Sequence, residues 1–293
     1  MKASFIKVFG FFLIGMLSFQ LSSRDALSGS IRSDIKSGSF YPSSRLKLEQ
    51  AIDNYTYRAG QSKVKIPLDK SIKALIMPHA GYIYSGFTAA HVSKVLSGDS
   101  IGKVILIGPD HYVGFTNGAI SDVDAYKTPI GVVKLHEDAS KMRLESSLFN
   151  PVPRSDNIEH SLEVILPFLQ IYLKEFEIVP IVLGSCNTSL VASVVGEYID
   201  NNTLIVVSSD LSHYLQYEEA VLKDKETINM ILNMETERLK LNKNSACGNI
   251  PITILLDIAK RHGWSPVLLH YSNSGDTAGN RSRVVGYCAI AFY

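Results

Sequence analysis

Four places in this 293-residue chain put side chains capable of chemistry where a buried strand or a helix would deliver them. The run Ala74–Met77 (ALIM) meets Pro78 and is followed at once by His79. Lys103–Pro109 (KVILIGP) repeats the device and leads through Asp110 to His111. Leu204–Ser208 (LIVVS) runs into Ser209, Asp210, Leu211, Ser212 and His213. Cys247 and Gly248 stand directly ahead of a helical stripe, where backbone N–H groups and the helix dipole favour a thiolate, which is a metal ligand or a nucleophile. In open α/β sheets ligands bind beyond the carboxyl ends of the strands, so residues at three such ends share one crevice. Two imidazoles there, on strands that read as neighbours, are metal ligands or acid/base groups, and Asp210 with His213 adds a carboxylate and a further imidazole. His160, in Glu159-His160-Ser161, opens a helix; it either caps that helix or reaches the crevice, where Glu159 would orient a neighbour. Tyr82, Tyr84 and Tyr112 follow the first two histidines closely and either line the cleft or pack in the core. His91, His136, His262 and His270 lack this setting and read as structural.

The elements that must position these groups alternate along the chain. After Ser43 and Ser44, which can cap a helix, Leu48, Ala51, Ile52 and Tyr55 form a one-sided helical stripe that Gly60 ends. Strand Ala74–Met77, helix Thr88–Leu96 and strand Val104–Ile107 suggest a parallel crossover. Ala119–Val123 reads as a strand, Tyr126–Val133 as a turn into another, and Glu137–Ser147 as a short helix. Ile158–Phe176 reads as one apolar helix bent at Pro167. Strands at Ile178–Leu183, Leu204–Ser208, Val267–Tyr271 and Val284–Phe292 alternate with helices at Leu190–Ile199, Tyr217–Leu241 and Ile252–His262. The expected fold is α/β, a single three-layer domain over residues 29–293 with a mostly parallel central sheet flanked by helices.

Apolar residues make up 46% of the chain and charged residues 19%, which supports a filled core and excludes global disorder. A formal net charge of +1 with scattered basic residues argues against nucleic acid as a partner. The three cysteines, Cys186, Cys247 and Cys288, are too few and dispersed for a disulfide framework, and Cys186 and Cys288 read as core packing. Lys2 and Lys7 precede the apolar run Val8–Phe19 and then Ser22-Ser23, the anatomy of a signal peptide and short for a membrane span. Residues 1–28 are therefore expected to be a signal peptide or an N-terminal membrane anchor. Export to a periplasmic or extracellular space follows, or a cytoplasmic location if the run is instead a first core helix.

The motifs occur in a set order: SGSFYP (Ser37–Pro42), HAGYIYSG (His79–Gly86), GPDH (Gly108–His111), TPIG (Thr128–Gly131), EHSLE with LPFLQ (Glu159–Gln170), VPIVLG (Val179–Gly184), SSDLSHY (Ser208–Tyr214), CG (Cys247-Gly248) and YSNSGD (Tyr271–Asp276). Together they resemble the Memo-like family, also called AmmeMemoRadiSam system protein B, over about Ile31 to Tyr293. The resemblance implies a fold similar to class III extradiol dioxygenases, in which two His and a carboxylate hold a non-haem iron. In Memo-like proteins the matching positions are two His and a Cys, here His79, His111 and Cys247. Asp210 and His213 fall at the family's polar site positions, His213 where the dioxygenases place an acid/base His. Animal members have been described as phosphotyrosine-peptide binders and as metal-dependent redox proteins. Prokaryotic members are associated with a radical-SAM protein, and export would separate this chain from such a partner. This chain has Asp110 where Ser is usual and Tyr112 where a second His is often found.

The expectation is one divalent metal, iron(II) before copper or zinc, on His79, His111 and Cys247, with His213 and Asp210 as catalytic groups. Tyr82, Tyr84, Tyr112 and His160 would then contact substrate. Redox or oxygenase-type chemistry is the leading reading. A peptide- or anion-binding protein without turnover is the alternative, and zinc-dependent hydrolysis is a third.

Overall fold

The computed structural model describes Met1 and residues 29–67, 70–96, 101–242 and 244–293. The apolar run that prompts the signal-peptide or anchor expectation lies outside the described residues. Among the described residues no helix is long and apolar enough to cross a membrane.

Six strands of four or more residues carry the architecture: β1 (Ala74–Met77), β2 (Lys103–Pro109), β3 (Glu177–Leu183), β4 (Thr203–Ser208), β5 (Pro266–Asn273) and β6 (Val284–Phe292). In space they run β6, β1, β4, β2, β3, with β5 also on β6, inside a nine-stranded sheet. The four central strands β1, β4, β2 and β3 are parallel. β6 is antiparallel to β1, β5 is antiparallel to β6, and the short strand Gly118–Ala119 is antiparallel to β3. The His79 and His111 strands are therefore not neighbours: β4 lies between them and brings Ser208, Ser209 and Asp210 into the gap.

Alternate residues of these strands enter two separate cores, which is why they read as continuous apolar runs. Leu75, Met77, Leu106, Leu204 and Val206 pack with Leu48 and Ile52 of α1 (Arg45–Gly60) and Tyr82 of α2 (Tyr82–Ala89). Ile76, Ile105, Ile107, Ile205 and Val207 face the other way. They meet Met142 of α3 (Glu137–Glu145), Val191 and Val195 of α5 (Thr188–Gly196), Ile228 and Ile231 of α6 (Tyr217–Leu232), and Ile252, Leu255 and Ile258 of α7 (Asn249–His262). Helices cover both faces, so the protein is a three-layer α/β domain, and among the described residues no sheet closes into a barrel. A small sheet of Ile31–Arg32, Ala125–Lys127 and Val132–Lys134 lies apart from it.

Local boundaries differ from the sequence reading at four points. α2 starts at Tyr82, immediately after the Ala80-Gly81 turn, and passes at Ala90 into a 3₁₀ turn that ends at Lys94. The strand expected over Ala119–Val123 is confined to Gly118–Ala119. The apolar segment from Ile158 is mostly turns, and helix α4 occupies only Leu166–Tyr172 with Pro167 in its first turn, where a missing N–H costs nothing. The helix expected from Tyr217 to Leu241 breaks after Leu232 and resumes at Thr236.

The turns around residue 163 have a structural reason. Glu163 is fully buried and accepts from Arg32 Nη1 at 2.8 Å, Tyr41 Oη at 2.6 Å, and the backbone N–H groups of Ile35 and Lys36. It thereby ties the N-terminal segment 32–41 to the turns before α4. Replacing Glu163 by Ala strands the buried Arg32 charge, and a loss of about 3–5 kcal/mol is expected in urea unfolding. A loss below about 1 kcal/mol would show that the pair is dispensable.

Candidate metal centre

His79 leaves β1 directly into the crevice, and its ring is buried. Its backbone N–H donates to Asp210 Oδ1 at 2.8 Å, and its Nδ1 lies 2.7 Å from Ser208 Oγ. The Ser208 hydroxyl is itself committed to the Ser161 carbonyl at 2.5 Å. Ser208 must therefore accept from His79, which puts the proton on Nδ1 and leaves the Nε2 lone pair free. That nitrogen is 3.3 Å from Cys247 Sγ.

His111 follows β2, where Gly108 has no room for a Cβ, which would sit 2.6 Å from Ser161 Oγ. This close approach lets the 159–162 segment lie flat against the strand end. Glu159 then takes both His111 N–H groups, the backbone one at 2.7 Å and Nδ1 at 3.0 Å, so Nε2 of His111 is the free nitrogen. The same carboxylate accepts from the backbone N–H groups of His160 and Ser161, both at 2.8 Å. Burial alone would raise Glu159, but the His111 contacts and these backbone donors outweigh it and hold the carboxyl near 2.

The structure thus brings His160 into the site rather than leaving it as a cap. The ring centroids of His79, His111 and His160 are 5.1, 5.3 and 4.6 Å apart, and their ligand nitrogens all lie within 4.8 Å of one another. The three imidazoles could hold a metal ion, and their Nδ1 partners have the character of the groups that orient metal-binding histidines. Burial, then the neighbouring His111, pushes His79 down to about 3. Burial, then His79 and His111, does the same for His160. Both rings are neutral near pH 7, the form a metal requires.

Cys247 stands just before α7, with Gly248 as the capping residue. A Cβ on Gly248 would meet Ser209 Cβ at 2.5 Å, so glycine is what allows the helix entry to touch the end of β4. The Cys247 sulfur receives the Asp210 backbone N–H at 3.3 Å. The thiolate expected from the helix dipole does not form in the free protein, because burial, with the Asp210 charge, pushes the thiol well above its ordinary range. A coordinated cation is what would reverse this. Cys186, half-buried, and Cys288, buried in β6, are free thiols packed against the α5–α7 core.

Asp210 is buried and is raised to about 6 by desolvation. Its Oδ1 spans the N–H groups of His79 and Ala80, so it fixes the turn that aims His79. His213 is exposed, and its Nδ1 donates to the Leu211 carbonyl at 2.8 Å. With Tyr84, His160, Asp210 and Arg283, it lines a cavity of about 610 Å³. Tyr84 is 39% exposed there. Tyr112 is exposed and reaches His160 Nδ1 at 3.1 Å, though it does not itself line the cavity. Tyr82 is not at the cleft: it is buried against Phe168, and its hydroxyl donates to the Val164 carbonyl at 2.9 Å, because it begins a helix whose inner face meets the core. Sequence reasoning gave no separate role to Ser208, which opens the SSDLSHY motif, or to Arg283, which with Arg281 precedes β6.

The fold and site define a class: an α/β protein with a histidine cluster at the carboxyl ends of its central parallel strands. The family model for Memo-like proteins matches residues 32–291, and the chain belongs to that family. Proteins named "MEMO1 family protein" from Aquifex aeolicus and Nitrosopumilus maritimus are 36% and 34% identical to it, each alignment covering 89% of this chain and 99% of the relative. The one from Sulfurisphaera tokodaii is 31% identical with the same coverage.

The suppressed proton uptake at His79 and His160 fixes the sign of the pH dependence. Below about pH 6.5 the unfolded chain binds protons that the folded one refuses, so stability falls as pH drops through that value toward 3. Each such ring contributes up to about 1.4 kcal/mol per pH unit. Asp210, with Asp156 and Asp224, opposes this as the pH falls below about 6, while His91 and His270, also lowered by burial, reinforce it. Thermal melts of metal-free protein between pH 7 and 4.5 should show a falling Tm, with a shallower slope in His160→Gln; a flat profile would contradict the neutral-imidazole assignment.

Proposed function

We propose that the protein binds one divalent metal through His79, His111 and Cys247 and carries out redox or oxygenase-type chemistry on a small molecule or peptide in the adjoining cavity. The observation that carries this is the free Nε2 of His79, which faces the Cys247 sulfur at 3.3 Å while its Nδ1 is tied to Ser208. Two imidazoles and a thiolate suit iron(II), with copper and zinc as the other candidates, and leave positions open for substrate or dioxygen. The metal would supply Lewis-acid polarisation and an electron couple.

The protein's own groups do the rest. Glu159 and Ser208 orient the ligand rings, and Asp210 holds the His79 turn. His213 faces the cavity with Nδ1 occupied, so Nε2 is the atom that takes or gives a proton. Tyr84 lies along the substrate's path. Arg283, at the cavity wall over the Tyr214 ring, favours a second reading in which the cleft captures an anionic ligand without turnover. The basic and apolar N-terminal run supports an exported or membrane-anchored location.

Anaerobically purified full-length protein should contain about one equivalent of iron or copper. His79→Ala, His111→Ala and Cys247→Ser should each lose most of it, read by elemental analysis. Zinc alone, with hydrolysis that needs no oxygen, would favour the hydrolase. Absence of metal after reconstitution, with ligand binding retained, would favour the binding protein.

A further inference from the structure

We propose that His160 is a further ligand of this centre and that Tyr112 is the positioning residue that turns its ring to that role, an inference that rests on the metal centre above. The argument is one of nitrogen accounting. His79 and His111 each have Nδ1 engaged, by Ser208 and Glu159, and each offers Nε2. His160 completes the pattern, since its Nδ1 lies 3.1 Å from the Tyr112 hydroxyl.

The direction of that bond decides whether His160 can ligate. A phenol can donate or accept, so the hydroxyl alone does not settle it. Glu159 does: its Oε1 lies 3.3 Å from His160 Nδ1, and the carboxylate already stands as the acceptor of four N–H groups. A lone pair on Nδ1 facing a carboxylate at that distance is repelled, and a proton there is attracted. Glu159 Oε1 already receives His111 Nδ1 and the His160 and Ser161 backbone N–H groups. The Nδ1 proton of His160 therefore goes to the Tyr112 oxygen, and the exposed phenol donates its own proton to water. His160 Nε2 is left with a lone pair, on a ring that offers one nitrogen within 4.8 Å of a nitrogen of each of the other two. A shared cation would take the lone pairs of all three rings, displacing the Cys247 S–H proton that His79 Nε2 faces.

His91 provides the contrast. It too is buried beside a second imidazole, stacked on His270 at 4.0 Å, but its Nδ1 meets the Phe87 carbonyl and its Nε2 meets Ser62 Oγ. Both nitrogens are occupied and neither is free to ligate. The Tyr112–His160 pair also accounts for a particular of this chain. Position 112 holds a tyrosine long enough to reach past His111 to the third ring.

The test is nitrogen-resolved. Full-length protein labelled with 15N-histidine is stripped of metal and titrated with zinc(II) as the probe. In the metal-free spectrum, the His160 ring should show its proton on Nδ1. On zinc addition the Nε2 resonances of three rings should move together, and His160→Gln should remove one of the three. Chelator competition should show zinc binding weakened about 10–100-fold by Tyr112→Phe and by about tenfold or more in His160→Gln. Movement of the His79 and His111 resonances alone, or unaltered affinity in both variants, overturns the assignment while leaving the metal centre intact. No zinc-dependent movement of any histidine in the wild-type protein overturns both.

Discussion

Glu159 receives four hydrogen bonds, two from His111 and one each from the backbone of His160 and Ser161. A buried carboxylate of this kind must be satisfied, and satisfying it fixes the geometry of everything it touches. It sets the His111 ring, the start of the 160s segment and, through Ser161, the carbonyl that orients Ser208 and hence His79. Glu163, four residues on, does the same for the N-terminal segment through Arg32 and Tyr41. One short acidic motif therefore anchors both the floor of the cleft and the strap beside it. The segment gives up regular helix to place these two charges.

Sheet order supplies the second constraint. Because β4 separates β1 from β2, the two histidines stand across a strand that ends in Ser208, Ser209 and Asp210. The gap is filled by short polar side chains that receive or donate hydrogen bonds, and Cys247 reaches it from the opposite layer through the glycine at the start of α7. Helices on both faces thus contribute to one site at the sheet's end.

Much of this was legible in the chain. An apolar run stopped by Pro78 or ending at Pro109 marks a strand end, and a histidine just beyond it points to the crevice by the general rule for α/β sheets. The α/β alternation needed no more than this; the Memo-like family rested on the ordered set of motifs, and the pairing of Cys247 with His79 only on what that resemblance implies. Strand order was not legible, because β1 and β4 pair across more than a hundred residues and no local pattern encodes it. Nor was the placement of His160: its segment has helical composition, but the buried charges of Glu159 and Glu163 decide its path. Tyr82 and Tyr84 look equivalent in sequence; two positions apart on a helix, one faces the core and the other the cleft.

The contact between Cys247 and His79 joins residues 168 apart. The candidate donors stand just after β1, after β2, before α4 and ahead of α7, so no short fragment of the chain brings them together. Cation capture at the proposed centre would consequently be a late event in folding, available only once the non-local strand pairings have formed. An ion that bound only the finished arrangement would slow unfolding more than it speeded folding, and would act as a latch on a completed domain rather than as a template for its assembly.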